Sequence, residues 1–442
     1  MYSALLKHIL LPLGSLFFSG NYSKHLKSWK AYDQLSSEAL EELQQKRLQE
    51  ILSYAQEHVP YYRNLSNTEI SRLENLPVLT KKILREQGDH LVSDEFQLDQ
   101  LDVHHSSGSS GFQSFTRMDK AHTFYLRALQ THWWSWGGYE PGKTLLQAGM
   151  TLQRGFTKKV KDILFRVHYM SAFNLTAPAI SKAISAVHNK NPKYIAGYPS
   201  ALNEIAKHAL EQDQKTSFAA LISYGDKLFD NYAKNFENAF DAPTIINTYG
   251  CAEGLLMACT ADLPYYYIMS PHVVVEILDD TGNKVPDGTM GNVVVSCLTN
   301  RAMPLLRYRL GDLGILLPKE DYPEKRRFNY PLLQTLVGRE TDVIKTPNGN
   351  TLIIHSFTGI IEYVDEIKQF KILQQSATQI DVQYLTDHGG RLAEVSLQHL
   401  TKMLTELTEG TKQFEFHKVD AIAPSPSGKP QIIQINWNKN QP

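Results

Sequence analysis

The chain of 442 residues carries three cysteines, Cys251, Cys259 and Cys297. Three thiols do not make a disulfide framework, and they fit a reducing, cytoplasmic setting. Charge of one sign is also lacking. Lys and Arg total 45 against 46 Asp and Glu, for a formal net charge of -1. That balance removes a bulk electrostatic case for nucleic acid as a partner. No long apolar run is present. Ala4 to Phe18 is mostly apolar but holds Lys7, His8, Pro12 and Gly14, and it is too short to span a bilayer. With Ser19-Gly20 after it, it has some features of a signal-peptide core. It reads as a short, partly helical segment packed on the body, with a peripheral grip on a membrane surface as the alternative. Internal repeats, low-complexity tracts, GxSxG, HExxH and GxGxxG are all missing. Cys251 and Cys259 lack paired-ligand spacing, which argues against zinc.

What is there begins with 42% hydrophobic and 21% charged residues, the balance of a globular chain. The length calls for two or three domains. Residues 36 to 90 read as helices, with Ser37 as a cap and Tyr61-Tyr62-Arg63 as an interruption. Ala121 to Trp136 reads as an aromatic-rich helix stopped by Gly137-Gly138. Strands then alternate with helices: a strand at 143–148, a helix at 178–189, a strand at 194–196, a helix at 201–211, a strand at 219–223, a helix at 227–240 and a strand at 244–247. This alternation predicts a parallel α/β sheet. From about 265 the pattern becomes β-rich with tight turns, including Val273 to Leu278 and Gly291 to Leu298. Residues 318–330, with Pro318, Pro323 and many charges, read as an exposed loop. A small α+β domain starts near Val337, with strands near 351–354, 368–375, 379–385, 414–420 and 431–436. Its helix at 391–408 has an apolar side of Leu392, Val395, Leu400, Met403, Leu404 and Leu407.

The fold class expected is therefore α/β. A large N-terminal domain, 1–337, combines parallel-type sheets with a β-rich module and carries a helical extension at 1–90. A small mobile α+β domain follows at 338–442.

Chemistry is concentrated in a few stretches. Ser106-Ser107-Gly108-Ser109-Ser110-Gly111 puts four hydroxyls and two glycines in six residues. Such a run favours a loop, and its backbone N–H groups can turn inward around a polyphosphate. Gly137 to Thr144 matches the Walker A pattern letter for letter, but it follows a helix and precedes a strand, the reverse of a P-loop, and Pro141 removes a donor. It reads as a turn. Asn247-Thr248-Tyr249-Gly250-Cys251-Ala252-Glu253-Gly254 places an amide, a ring and a carboxylate at the C-terminal end of a strand, where open α/β sheets bind ligands. Ser223-Tyr224-Gly225-Asp226 ends the neighbouring strand. Tyr308 to Asp312 offers a carboxylate after a turn, Gly338 to Lys345 opens the small domain, and Pro424 to Lys429 places a lysine on a late loop.

In this order the stretches resemble the adenylate-forming superfamily of acyl-CoA synthetases, adenylation domains and luciferases. Ser106–Gly111 is similar to its phosphate loop and Tyr249–Glu253 to its Tyr-Gly-x-Thr-Glu motif. Tyr308–Asp312 is similar to its Tyr-Arg-x-Gly-Asp motif, Gly338–Lys345 to its interdomain Gly-Arg motif, and Gly428-Lys429 to its C-terminal lysine motif. Gly197 to Leu202 and His58 to Arg63 carry a finer resemblance to the phenylacetate-CoA ligase branch, nearest its CapK-like capsule-biosynthesis proteins. Phe112-Gln113 after the phosphate loop, Ala252 and Thr341 depart from the usual residues. The loop at 318–330 has none of the cysteines of the metal element that some relatives carry.

The resemblance implies activation of a carboxylic acid by ATP to an acyl-adenylate with loss of pyrophosphate. The acceptor is coenzyme A or, alternatively, an amine; a catalytically silent nucleotide-binding homologue is the third reading. It implies that Ser106, Ser107, Gly108, Ser109, Ser110 and Gly111 cradle the phosphates. Asn247 meets the adenine amine, while Thr248, Tyr249, Gly250, Cys251, Tyr224 and Gly225 line the nucleotide pocket. Glu253 holds Mg²⁺, Asp312 accepts the ribose hydroxyls, and Arg339 lies by ribose or phosphate. Lys429 serves the reacting carboxylate and α-phosphate. A homodimer through the N-terminal helices is a further expectation.

Overall fold

The computed structural model describes residues 2, 21–65, 71–105, 115–149, 155–172, 175–251, 253–339, 344–345, 351–352, 357, 360–361, 364, 366–386, 390–422 and 432–436. Helices α1 (Tyr22–Tyr32), α2 (Ser37–His58), α3 (Pro60–Arg63) and α4 (Lys81–Gln87) open the chain. The cap of α2 is Ser36, whose hydroxyl accepts from the Ala39 amide at 3.2 Å, one residue earlier than expected. Pro60 occupies the first turn of α3, where its missing N–H costs nothing. Strands β1 (Asp102–His105) and β2 (Phe115–Met118) pair antiparallel, with His105 opposite Phe115. Helix α5 (Lys120–Trp136) starts on Asp119, whose carboxylate accepts from the His122 amide at 2.9 Å.

Strand β3 (Thr144–Gly149) leads to two elements that sequence reasoning passed over, α6 (Phe156–Phe165) and β4 (Val167–Ser171). Then come α7 (Ala177–His188), β5 (Lys193–Gly197), α8 (Pro199–Glu211), β6 (Ala220–Ser223), α9 (Asp230–Phe240) and β7 (Thr244–Cys251). The antiparallel part follows as β8 (Leu255–Cys259), β9 (Tyr266–Ile268), β10 (Val273–Leu278), β11 (Gly291–Cys297), β12 (Tyr308–Leu316) and β13 (Leu332–Arg339). The expected parallel sheet and β-rich module are one continuous sheet of 11 strands, in the order β10-β11-β12-β13-β9-β8-β7-β6-β5-β3-β4. Pairing is parallel from β4 to β7 and antiparallel from β7 to β10.

Alternation along the parallel strands covers both faces. Leu145, Tyr194, Ala220, Ile222 and Ile246 pack with Trp29, Leu129 and Trp133 of α1 and α5. Leu146, Ile195 and Leu221 pack with Ile184, Leu202, Ile205 and Phe236 of α7, α8 and α9. The antiparallel strands bury Val293, Val295 and Tyr308 against Ile51, Leu52 and Tyr62 of α2 and α3.

Residues 318–330 are not a wholly exposed loop. Phe328 stacks on Trp136 at 4.5 Å, and the buried Tyr330 donates its hydroxyl to Asp33 at 3.0 Å. Aromatic residues inside a charged stretch anchor it to α5. The Walker-like run joins α5 to β3, and its Lys143 ammonium donates to the Gly138 carbonyl at 2.8 Å, closing on its own turn.

The C-terminal part has its own core. Strands β14 (Ile344–Lys345) and β15 (Thr351–Leu352) form a small pair. Strands β16 (Ile367–Gln374) and β17 (Gln379–Thr386), helix α10 (Glu394–Leu407), then β18 (Gln413–Lys418) and β19 (Ile433–Ile435) form a sheet ordered β18-β17-β16-β19 and its covering helix. Leu400 and Leu404 are fully buried there, but Val395 is 72% exposed and Met403 also faces solvent. At roughly 100° per residue, Val395 falls on the side of the helix opposite Leu397, Leu400 and Leu404.

Candidate active site

The site is built on a change of partner within one strand. Residues 244–247 of β7 pair parallel with β6, and residues 248–251 pair antiparallel with β8. The Asn247–Glu253 stretch therefore begins where the parallel sheet ends, at the carboxyl edge of its strands. Ser223 lies opposite Asn247, and its hydroxyl donates to the Asn247 amide oxygen at 2.6 Å. The amide nitrogen donates to the Tyr266 hydroxyl at 2.5 Å, and the Asn247 backbone N–H to Thr260 at 2.8 Å. The Thr248 hydroxyl donates to the Ser223 carbonyl at 2.9 Å. These bonds fix both ends of the Asn247 side chain.

Tyr249 is buried on the same strand, and its hydroxyl donates to Asp312 at 2.8 Å. Burial, and then the neighbouring Asp312 carboxylate, push its phenol well above the usual value. Asp312 belongs to strand β12 and lies opposite Arg339 on β13, so the turn expected before Asp312 is a continuous strand. Gly311 holds a φ of +85°, and a Cβ there or at Gly338 would meet no atom within 4 Å. Open space thus borders Asp312 and the backbone of Arg339. The Gly250 position is crowded instead: a Cβ would stand 2.9 Å from the Leu255 carbonyl oxygen.

Glu253 is 6% exposed, and its carboxylate accepts from the buried Tyr308 hydroxyl at 3.0 Å. Its backbone carbonyl accepts from the Thr116 hydroxyl at 3.3 Å. Burial first, and then the Glu253 carboxylate, raise the Cys251 thiol well above its usual value, so it is held as a neutral thiol. Thr116 sits on β2, the strand that leaves the Ser/Gly stretch. The β1–β2 pairing joins residues 105 and 115 at the base of that stretch, and Thr116, next to residue 115, bonds the Glu253 carbonyl.

Two turns interlock at the far side. A Cβ on Gly225, whose φ is +84°, would lie 2.4 Å from the Tyr198 ring. Tyr198 and Tyr224 meet edge to face at 5.3 Å, Ser200 donates to Asp226 at 2.6 Å, and Gln147 donates to the Tyr224 hydroxyl at 3.2 Å. The Lys227 ammonium donates to the Val337 carbonyl at 2.7 Å, and burial lowers its pKa to about 8.

The structure thus brings Tyr224, Gly225, Asn247, Thr248, Tyr249, Gly250, Cys251, Glu253 and Asp312 to one edge, with the backbone of Arg339. Ser106, Ser107, Gly108, Ser109, Ser110, Gly111 and Lys429 lie outside the described residues, as does the apolar stretch 4–18. Sequence reasoning missed Thr116, Gln147, Lys227, Thr260 and Tyr266. Lys227 directly follows the Ser223–Asp226 run, which was a usable signal; Tyr266 on a three-residue strand gave none. Among the described residues the one cluster with metal-ligand chemistry is Asp381, Glu415 and His417. It lies on β17 and β18 of the C-terminal sheet. No helix among the described residues is long and apolar enough to cross a membrane.

Comparison with known proteins bears on this geometry. Residues 165–298 match the family "AMP-binding enzyme". The chain is 24% identical over 312 residues to a phenylacetate-coenzyme A ligase of Thermus thermophilus, covering 64% of this chain and 67% of that one. It is 21% identical over 449 residues to Protein CapK of Staphylococcus aureus, covering 96% and 95%. Its fold is that of 2-hydroxyisobutyryl-CoA ligase, solved in the postadenylation state with an acyl-AMP. The TM-score is 0.70 at 17% identity, over 92% of this chain and 91% of that one. The resemblance read from the motifs therefore holds in the AMP-binding segment, in the fold and in the curated relatives: this chain is similar to the phenylacetate-coenzyme A ligase branch of the adenylate-forming enzymes.

Proposed function

We propose that the protein is an AMP-forming acid–coenzyme A ligase. A carboxylate oxygen attacks the α-phosphorus of ATP, the bond between α-phosphorus and the bridging oxygen breaks, and pyrophosphate leaves. The coenzyme A thiolate then attacks the acyl carbon and AMP leaves. A carboxylate is a poor electrophile at carbon, and the mixed anhydride cures that. The chemistry asks the protein for positioning and for neutralisation of negative charge.

The observation that carries this reading is the change of partner along β7. It sets Asn247, Tyr249 and Glu253 in sequence along one edge, against Asp312 and the base of the Ser/Gly stretch. Adenine then sits by Ser223, Tyr224 and Asn247, and ribose sits in the open space by Gly311, with Asp312 accepting its hydroxyls. Ser106–Gly111 takes the terminal phosphates, and Arg339 and Lys429 supply positive charge. Glu253 suits Mg²⁺: it is a single buried carboxylate, and Mg²⁺ prefers one or two carboxylates completed by phosphate oxygens and water. The ion supplies charge neutralisation on the phosphates. The small C-terminal domain, from residue 338, carries Lys429 to and from the site.

The test is ATP–pyrophosphate exchange over a panel of aryl, fatty and amino acids, followed by AMP release with coenzyme A or with amines. Exchange with one acid class and release dependent on coenzyme A is the expected result. Release dependent on an amine alone moves the acceptor to amide formation. Nucleotide binding without exchange for any acid overturns the enzyme reading.

A further inference from the structure

Helix α6 is amphipathic in the wrong direction for a surface helix. At roughly 100° per residue, Phe156, Val160, Ile163 and Leu164 fall within an arc of about 100°. A surface helix turns such a stripe to the core. Here the stripe faces out: Phe156 is 81% and Ile163 79% exposed, with Val160 and Leu164 also exposed. No residue of the helix is buried. Asp162 and Phe165, on the other side, are the half-buried ones.

Charge accompanies the stripe. Residues 154–166 hold five basic side chains, Arg154, Lys158, Lys159, Lys161 and Arg166, against one acidic, Asp162, in a chain whose net charge is -1. Long lysine stems can lie along an apolar layer with their ammonium groups at its polar boundary. The start of the chain is seated at the end of this helix. The Tyr2 hydroxyl donates to the Leu164 carbonyl at 2.7 Å, and the Arg166 guanidinium lies 4.2 Å from the Tyr2 ring centre.

We propose that α6 docks this protein in the interfacial plane of an anionic lipid bilayer, with Phe156, Val160, Ile163 and Leu164 in the acyl boundary and the lysines on headgroup phosphates. A basic, amphipathic, ten-residue helix has the composition and length for lying in an interface and not for crossing it. A second copy of the chain fits worse: a two-fold contact through this face would set the same basic cluster against itself. Membrane docking is independent of the reaction proposed for the β7 edge.

Sedimentation of the full chain with vesicles tests this, comparing phosphatidylcholine alone with mixtures containing phosphatidylglycerol. Binding should require the anionic lipid and weaken with salt. Lys158→Gln, Lys159→Gln and Lys161→Gln should each cost about fivefold in partitioning to anionic vesicles. The double variant F156S/I163S should lose at least tenfold while its melting temperature and vesicle-free activity stay at wild-type values, because both side chains are exposed. Three results would overturn the proposal: no vesicle binding by the wild type, unchanged binding by F156S/I163S, or a wild-type dimer that this variant turns into a monomer.

Discussion

Replacing Tyr308 by phenylalanine removes one oxygen from the interior of the sheet. That oxygen donates to the Glu253 carboxylate at 3.0 Å. Tyr308 is wholly buried and Glu253 only 6% exposed, so water is poorly placed to replace the lost donor. A hydrogen bond to a charged acceptor is worth about 1.5–3 kcal/mol net, and a buried carboxylate left short of a donor stands toward the upper end. Y308F should lower unfolding free energy by about that amount, read by urea denaturation of the N-terminal part. E253Q removes the charge from the other side, so the double-mutant cycle should return a coupling of about 1–3 kcal/mol. The same bond orients the carboxylate proposed to hold Mg²⁺. If all of its energy reaches the transition state, exchange falls by about 10- to 150-fold, and the Mg²⁺ concentration for half-maximal exchange rises. A coupling near zero, or a Y308F enzyme with unchanged Mg²⁺ dependence, refutes the claim that Tyr308 positions Glu253.

Lys429→Ala should cut the exchange rate by about 10²–10³-fold with little change in ATP affinity, the signature of a donor aimed at the transition state; rapid exchange by this variant would remove Lys429 from the reaction. Gly225→Ala combines a left-handed backbone position with a clash 2.4 Å from the Tyr198 ring. It should cost about 2–3 kcal/mol in unfolding free energy and raise the KM for ATP more than it lowers kcat, whereas an unchanged KM would place the turn outside the nucleotide pocket. Acid should destabilise the fold through His122, whose pKa burial, and then His104 and His25, lower to about 3. Above pH 6.5 it is neutral in both states; as pH falls the unfolded chain takes the proton first, so stability drops by up to ~1.4 kcal/mol per pH unit from 6.5 toward about 3. His272, held low by burial, His122 and Arg47, adds to the slope. His122→Gln should flatten the pH dependence of urea unfolding, and an unchanged slope would show that His122 is solvated.

Local chemistry made much of the fold legible. The boundaries of α5 follow from Asp119 and Gly137, and each parallel strand is a short apolar run between turn residues. Period and caps act within a few residues, so they can be read in order along the chain. Pairing cannot: nothing near Tyr266 or Leu332 announces that β9 and β13 join the parallel half of the sheet to the rest. α6 escaped for a different reason. Its apolar stripe has helical spacing, but that stripe is exposed, so the helix contributes nothing to the core by which the other helices are read.

The candidate site divides along the same line. Asn247, Tyr249, Glu253 and Asp312 stand in recognisable strings: the first three run from the change of partner in β7 to the turn after it, and Asp312 lies within β12. Their partners, Tyr266 on β9, Thr260 just after β8 and Thr116 on β2, come from elsewhere in the chain and depend on register. The deciding register event is the irregularity in β7–β8 pairing between Tyr249 and Gly250, where the partner moves from Ala258 to Leu256. The unpaired residue is Met257, so β8 carries the bulge and bends. Beyond it the chain turns at Gly254, whose φ is +83°, and the Glu253 carboxylate meets Tyr308 on the far strand. The crowding at Gly250 is the cost of that turn. A side chain there would push Leu255 away and separate the carboxylate from Tyr308, so the glycine in this motif is a requirement of register before it is a requirement of any ligand.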